Sequence, residues 1–172
     1  AGDDYSTQFI RYYGDATGIK TGYSGPAGYC ITASAKRGDM EVIAVVMGAR
    51  APSGPESSFG LAARLFNEAF AHWRQLVPLK KGTVVGQANV ADGQAKTVNA
   101  VAAMDVRTLV QRGQEGGITV RFVPSNLTAP VSAGQQVGFA VVNQGGQQIG
   151  RVPAIAQTAV AKQPGWKKFW PF

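Results

Sequence analysis

The chain has 172 residues, of which 45% are hydrophobic and 16% are charged, and its net charge is +7. Such a composition is typical of a folded globular protein with a core of its own, and it excludes a disordered chain. No apolar run approaches the roughly eighteen residues that a membrane-spanning helix requires. The first residues show neither a basic start nor an apolar stretch, so no signal peptide is predicted there.

The charge is unevenly distributed along the chain. Residues 1–75 contain seven Lys or Arg and seven Asp or Glu, whereas residues 76–172 contain ten and three. The second part therefore carries the whole net charge, which indicates two units, the second of them facing something acidic. We expect a first domain over residues 1–75, a β-rich domain over 76–160 and a basic aromatic tail over 161–172.

The first domain shows three strand patterns and then a helix pattern. Strands are predicted over residues 17–22, 28–36 and 40–47, the last with a buried, β-branched run, and a short turn at Gly38 makes the last two strands a hairpin. After a break rich in Pro and Gly, apolar residues at spacings of three and four predict a helix over 56–73 that packs back on the sheet. This stripe comprises Leu61, Leu65, Phe66, Ala69, Phe70 and Trp73.

The second domain has a different sequence pattern, in which glycines separate short runs rich in valine. This pattern predicts a small antiparallel sandwich or barrel, with paired strands that form a self-sufficient core. The fold class is therefore α/β followed by all-β. The predicted strands cover residues 83–90, 97–103, 108–111, 118–122, 138–143 and 148–154.

The chain contains one cysteine and one histidine, which leaves no intrachain disulfide and no ordinary zinc site. We expect neither a metal nor a cofactor. Cys30 follows Tyr29 in an apolar segment, which favours a buried structural thiol over a nucleophile. His72 lies beside Trp73 in the predicted helix, and we expect it to pack there without acting as a base.

The triplet Lys20-Thr21-Gly22 is the first candidate for chemistry, although three residues alone are a weak signal. It is similar to the triplet on an edge strand beside the active serine of acyl-transferases that act on β-lactams or D-Ala-D-Ala. In those enzymes the substrate pairs with the strand, the Lys ammonium and Thr hydroxyl face its carboxylate, and Gly leaves room for it. The alternative reading is an ordinary polar strand end.

Longer segments extend this likeness over nearly the whole chain. Residues 18–24 (GIKTGYS), 27–30 (AGYC) and 43–49 (IAVVMGA) resemble the D-Ala-D-Ala carboxypeptidases, which are the low-molecular-mass penicillin-binding proteins. Residues 81–82 (KG) and 127–138 (LTAPVSAGQQVG) resemble the β-rich C-terminal domain of those enzymes. The resemblance implies part of a β-lactamase/transpeptidase-like sheet and helix, followed by that domain.

The resemblance also implies a function. Such an enzyme removes the terminal D-Ala of peptidoglycan stem peptides through a serine acyl-enzyme, is acylated by β-lactams and uses no cofactor. Lys20 and Thr21 would be catalytic residues and, with Gly22, would bind the substrate carboxylate. The location implied is extracytoplasmic, in the periplasm or at the outer face of the cytoplasmic membrane.

The chain departs from the family pattern in what it lacks. None of its serines is followed by Lys three residues later or by Asn two residues later, so the Ser-x-x-Lys and Ser-x-Asn elements are absent. We expect the chain alone to be inactive and a preceding segment or a second chain to carry the nucleophile. The family often has Asp where this chain has Thr17, and Arg where it has Pro55, which leaves Arg50 as the nearest candidate for a second carboxylate-binding cation.

The tail over residues 162–172 combines three lysines with four large aromatic residues. Trp and Phe favour the headgroup boundary and Lys favours anionic lipid, so we expect this tail to contact the membrane surface as a short amphipathic anchor. The alternative is a disordered tail.

Two other functions stay open. A non-catalytic module that binds wall polymer or membrane, with a vestigial half-site, is the main alternative. Nucleic-acid binding would depend only on the net charge and is disfavoured, because the basic residues lack interleaved aromatics. We also expect residues 18–75 to expose the strand over 42–46 and the apolar helix face, and therefore to need a partner segment, another chain or self-association.

Overall fold

The structure is a computed structural model and describes residues 5–164. The described part divides into two compact units. Unit 1 extends to Gln75 and includes Val110–Arg112, whereas unit 2 comprises Leu76–Leu109 and the chain from Gly113 onward. Most of the predicted tail lies outside the described residues.

Unit 1 contains two helices and one antiparallel sheet, as the α/β prediction requires. The elements are α1 (Tyr5–Tyr12), β1 (Ala16–Ser24), β2 (Gly28–Arg37), β3 (Met40–Ala49) and α2 (Ser58–His72). The sheet has the order β1-β2-β3. Helix α1 precedes the sheet and was not predicted.

The predicted hairpin is confirmed, since β2 pairs with β3 in antiparallel register from Tyr29 to Arg37. Gly38 occupies the turn with φ of 60°, a conformation that glycine adopts without strain. Strand β3, however, is buried on one face only. Ala44 is 5% exposed and Val46 is 8% exposed, whereas the intervening Val45 is 59% exposed. The prediction that the whole run is buried was therefore wrong for alternate residues.

The core of unit 1 lies between the helices and the inner face of the sheet. Phe66 and Ala62 of α2 are fully buried, and Phe70 is 4% exposed. The predicted exposure of the apolar helix face was therefore wrong for these residues, because Phe9 of α1 and the sheet cover them. At the stripe's margin Leu65 is 49% exposed, so the core-packing prediction was wrong there.

The start of α2 is fixed by a serine cap. The Ser57 hydroxyl accepts a hydrogen bond from the Gly60 amide at 3.1 Å and donates one to the Gly54 carbonyl at 2.7 Å. A serine in this position satisfies an otherwise unpaired amide of the first turn. The helix begins two residues later than predicted because Ser57 is the cap.

After α2 the chain turns directly into an unpredicted strand, β4 (Trp73–Leu79). It forms a two-stranded sheet with β7 (Val106–Gln111). Trp73 is 39% exposed and is not in the helix, which corrects its place in the predicted stripe.

The main sheet of unit 2 is built from β5 (Val84–Ala91), β6 (Thr97–Ala102), β8 (Ile118–Pro124), β9 (Leu127–Thr128), β10 (Gln136–Gln144) and β11 (Gln147–Ala156). These six strands have the order β8-β10-β11-β6-β5-β9. Each predicted strand of this part corresponds to an observed one, so the all-β prediction is confirmed. The short β9 pairs in parallel with β5 and was missed.

The core of unit 2 is built from small aliphatic side chains. Val137, Val142 and Ala154 are fully buried, and Val131 is 1% exposed. Neither helix of residues 5–164 is long and apolar enough to cross a membrane.

Candidate functional site

The predicted triplet lies on β1, at the edge of the three-stranded sheet. On one side Lys20 pairs with Thr32 and Gly22 pairs with Cys30 of β2. On the other side β1 pairs with no strand of residues 5–164. An edge strand offers backbone N–H and C=O groups that an extended ligand can pair with.

Lys20 is exposed, and its ammonium forms no hydrogen bond or ion pair within the part of the chain that the structure describes. Thr21, next in sequence, is half-buried. A Cβ at Gly22 would meet nothing within 4 Å, and Gly22 does not have a positive φ. The fold itself therefore does not require glycine at position 22. The absence of a side chain there instead leaves space for a ligand to approach the backbone of β1.

The three residues line a cavity of about 430 Å³ within unit 1. Successive strand residues point to opposite faces, so Lys20 and Gly22 approach this cavity from one face and Thr21 from the other. One wall is aromatic, because the Tyr23 and Tyr29 rings lie 4.5 Å apart. The remaining lining residues are Gln8, Cys30, Pro52, Ser58 and Phe59.

Cys30 is half-buried and belongs to this cavity, which corrects the expectation of a buried structural thiol. Its Sγ lies 3.6 Å from the Ala27 carbonyl oxygen, a weak contact. The sequence pattern placed Cys30 in an apolar strand, but its side chain points away from the core because Ile31 takes the inward position.

Two other candidate residues lie elsewhere. Arg50 lines a separate cavity with Glu56 and Leu61, so the structure does not bring it to the triplet. The His72 side chain is 68% exposed, and its Nε2 lies 3.1 Å from Glu68 Oε2. The expectation that His72 packs in the core was wrong, because it lies on the solvent side of the last helical turn.

Thr17 occupies the position where the resembled family often has Asp. Its hydroxyl lies 2.6 Å from that of Ser34 on β2, so the two form a hydrogen bond across the strands. Ser34 is only 6% exposed. The pair stabilises the start of β1 and places no charge beside the triplet.

Ser58 and Phe59 are site residues that sequence reasoning missed. Ser58 is 6% exposed and lines the cavity, yet its hydroxyl has no hydrogen-bond partner in the described part of the chain. The signal available was the Ser57-Ser58 pair after the Pro- and Gly-rich break, because serine is a preferred helix cap and Ser57 is the cap of α2. Because no base among residues 5–164 contacts Ser58, this part of the chain gives the cavity groups to bind a carboxylate but no activated nucleophile.

The groups with shifted pKa values in unit 1 have a structural role. Burial raises the pKa of Tyr13, and the hydrogen bond to Asp15 raises the pKa of Arg37. Arg37 Nε lies 2.9 Å from Asp15 Oδ2, and its guanidinium covers the Phe70 ring at 4.5 Å. None of these residues lines the cavity around the triplet.

An exposed Lys-Thr-Gly edge strand in an α/β unit, followed by an antiparallel β unit, is the combination that the sequence predicts for a penicillin-binding protein. Comparison with family models agrees. Residues 6–51 match the model for D-alanyl-D-alanine carboxypeptidase, and residues 73–162 match the model for the penicillin-binding protein 5 C-terminal domain. The chain therefore belongs to the low-molecular-mass penicillin-binding protein family, of which it contains that C-terminal domain.

Curated relatives match most of this chain. The D-alanyl-D-alanine carboxypeptidase DacF of Bacillus subtilis is 29% identical over 159 residues, which is 91% of this chain and 40% of the relative. The D-alanyl-D-alanine carboxypeptidase DacA of Escherichia coli K12 is 31% identical over 140 residues, which is 80% of this chain and 34% of the relative. The chain thus spans well under half the length of these relatives.

Solved structures agree with the fold. Penicillin-binding protein 5 of Haemophilus influenzae superposes with a TM-score of 0.66 and 26% identity, over 86% of this chain and 43% of that one. A peptidoglycan synthesis regulatory factor (PBP3) of Streptococcus pneumoniae superposes with a TM-score of 0.67 at 23% identity, over 87% of this chain and 44% of that one. The second likeness concerns the fold alone.

Proposed function

We propose that this chain is part of a serine-type D-Ala-D-Ala carboxypeptidase that removes the terminal D-Ala of peptidoglycan stem peptides and is acylated by β-lactams. The chain supplies the Lys-Thr-Gly half of the active site. The family membership and the names of the relatives support this proposal. The observation that carries it is the Lys20 ammonium beside a cavity, on a strand edge where neither has a partner among residues 5–164.

Binding begins with the carboxylate. A free lysine beside an open edge strand attracts an anionic terminus, and the Thr21 hydroxyl donates a hydrogen bond to the same group. The ligand backbone pairs with β1 as an added strand, and Gly22 allows the close approach. In the acyl transfer itself, the Lys20 charge stabilises the negative charge that develops in the transition state.

The nucleophile comes from elsewhere. Serine attack requires an adjacent base, and no serine of this chain has Lys three residues later. The complementary Ser-x-x-Lys and Ser-x-Asn elements therefore belong to a preceding segment or a second chain. Their natural place is against the outer face of β2 and β3, where Ile43 is 64% exposed and Met47 is 79% exposed.

The proposal includes the arrangement of the chain and its place in the cell. Residues 1–75 are the C-terminal portion of the catalytic domain, residues 76–160 are the β-rich domain, and residues 161–172 are a basic aromatic tail. Because the substrate is peptidoglycan, the enzyme acts in the periplasm or at the outer face of the cytoplasmic membrane. The tail would then contact the membrane surface through Lys and Trp side chains.

Fluorescent penicillin provides the first test, with the intact mass of each labelled species as readout. We expect no label at the mass of this chain, and label on a complementary polypeptide when both are present. A labelled species of this chain's own mass would show a nucleophile within it and overturn the half-site assignment. No label on any species would favour the non-catalytic wall- or membrane-binding module.

Binding to the half-site is tested directly on the chain by amide chemical shifts. A peptide ending in D-Ala-D-Ala should shift the amides of β1 around Lys20–Tyr23, and its C-terminally amidated form should not. Lys20→Ala should abolish the shifts. Lys36→Ala is the matched control, because Lys36 is an exposed lysine of the adjacent strand outside the cavity. Equal loss in both variants would contradict a specific role for Lys20.

A further inference from the structure

The hydroxyl of Ser58 is a buried polar group to which the proposed function gives no role. Ser58 is 6% exposed, and its hydroxyl has no hydrogen-bond partner among residues 5–164. Buried hydroxyl groups nearly always have a partner, because leaving one without costs stability. Ser34 shows the usual case, since it is also 6% exposed and its hydroxyl lies 2.6 Å from that of Thr17. Ser58 therefore lacks the partner that a buried serine normally has within its own chain.

Helix α2 points the Ser58 side chain toward the sheet. Ser58 is the first residue of α2, directly after the Ser57 cap. Ala62 follows four residues later on the same helix face, and it is fully buried in the core between the helices and the sheet. Ser58 faces the sheet in the same way, but at the margin of the core, where it lines the cavity beside the triplet.

Thr21 lines the same cavity from strand β1. It pairs with Ile31 of β2, which is 3% exposed and belongs to the core. Residues in register share a face of the sheet, so Thr21 lies on the face that α2 covers. The hydroxyl groups of Thr21 and Ser58 are therefore on the same side of the strand edge, one on the strand and one on the helix.

The electrostatics of the cavity favour a singly charged anion. The first turn of a helix is its positive end, because the amides there have no acceptor within the helix. Among the described residues that line the cavity, Lys20 is the only cation and there is no Asp or Glu. A carboxylate carries one negative charge, which this cation balances, whereas a phosphate monoester carries up to two. A carboxylate is therefore the ligand group that fits.

We propose that the Ser58 hydroxyl, at the positive end of α2, donates a hydrogen bond to the terminal carboxylate of the peptide ligand. This inference rests on the proposed function, because it assigns a further binding residue for the same peptide terminus. A carboxylate has two oxygens with several acceptor positions, so it can accept from Ser58, Thr21 and Lys20 together. Ser58 thus contributes to the choice of a free C-terminus over an amidated or internal one.

Ser58→Ala separates this binding role from a structural one. The hydroxyl makes no hydrogen bond in the described chain, so its removal should leave the urea midpoint of the full chain unchanged or higher. Binding of a peptide ending in D-Ala-D-Ala, followed by amide chemical shifts, should weaken about tenfold, because a hydrogen bond to a charged group is lost. Binding of the amidated peptide should not change.

Two other serines provide matched controls. Ser53→Ala removes the hydroxyl of an exposed serine outside the cavity, and it should alter the affinity for the peptide less than about twofold. Ser34→Ala removes an equally buried hydroxyl that has a partner, so it should lower the urea midpoint. The contrast between Ser34→Ala and Ser58→Ala shows whether the Ser58 hydroxyl stabilises the fold.

Sodium acetate, which offers the carboxylate alone, distinguishes failure of this inference from failure of the proposed function. Unchanged peptide affinity in Ser58→Ala, or a lower urea midpoint, would overturn the inference and leave the carboxypeptidase proposal standing. If the unmodified chain binds no D-Ala-D-Ala peptide, the half-site proposal fails. Acetate should still shift the amides of Ser58 and Phe59 in the unmodified chain and not in Ser58→Ala. The absence of such shifts would overturn the Ser58 site as well.

Discussion

Cys30 lies directly opposite Gly22 in the β1–β2 ladder, and both residues line the cavity beside Lys20. Because Gly22 has no side chain, any group attached to the Cys30 sulfur extends into the space beside the strand edge. Modification of Cys30, the only cysteine in the sequence, can therefore test whether a ligand binds in this cavity.

Alkylation of Cys30 with N-ethylmaleimide should therefore abolish binding of a peptide ending in D-Ala-D-Ala. The adduct occupies the ligand's place beside Gly22, while the fold keeps its strand pairing. Intact mass gives the extent of modification, and amide shifts of β1 give binding. Cys30→Ser treated with the same reagent should still bind, and retained binding by the fully alkylated chain would place the ligand elsewhere.

Gly60→Ala should destabilise unit 1 strongly. An added Cβ would lie 2.5 Å from the carbonyl oxygens of both Gly54 and Pro55, and backbone atoms cannot move aside cheaply. We expect the free energy of unfolding to fall by about 2 kcal/mol or more. Urea unfolding measures it. Gly25→Ala is the control, because a Cβ there meets nothing within 4 Å; a similar loss in both would indicate a general cost of removing glycine.

The two faces of β3 should respond differently to the same substitution. Val46 is 8% exposed and Val45 is 59% exposed. Val46→Thr places a hydroxyl in the core and should cost about 1–3 kcal/mol, whereas Val45→Thr should change the free energy of unfolding by less than about 0.5 kcal/mol. Urea unfolding compares them. If Val45→Thr were equally costly, the outer face would be covered in solution, by a second copy of the chain.

Asp105 should make the stability of unit 2 depend on pH. Its pKa is lowered first by the hydrogen bond from the Lys81 amide, at 2.8 Å, and then by Arg107. A lowered folded-state pKa favours the folded protein above the ordinary Asp value of 3.8, and this contribution disappears as the pH falls through the folded-state value.

Thermal unfolding of the wild type and Asp105→Asn checks this dependence. The variant should unfold at a lower temperature near neutral pH, and the difference should shrink once the pH falls below 3.8. Arg107→Gln leaves the Lys81 donor in place and should retain most of the pH dependence. A difference that persists unchanged in acid would mean that Asp105 acts through packing and not through its charge.

Sequence reasoning recovered the sheet of unit 1, α2 and the main strands of unit 2, because their apolar residues recur with the period of each element. It missed α1, a helix of only 8 residues whose packing depends on partners distant in sequence. It also missed β4, because Pro78 argues against a strand unless that strand lies at the edge of its sheet. Strand β4 is such an edge strand, since its two-stranded sheet contains only β4 and β7.

In the candidate site, too, the sequence predicted the residues of a local motif and missed those that long-range packing brings together. Lys20, Thr21 and Gly22 are recognisable because three consecutive residues carry the motif. Tyr29 and Phe59 reach the cavity only through strand register and helix docking, which no local pattern encodes. The exposure of His72 was not predicted either, because helix periodicity locates a residue of the last turn less reliably than a central one.

The edge of β1 that no strand of residues 5–164 pairs with has a further consequence. The backbone groups that would receive a peptide ligand are the same groups through which two copies of this chain would join their sheets. The two events exclude each other at this edge. Ligand binding and self-association of unit 1 therefore compete for one row of backbone hydrogen-bonding groups. A bound ligand would prevent two copies of the chain from pairing at this edge.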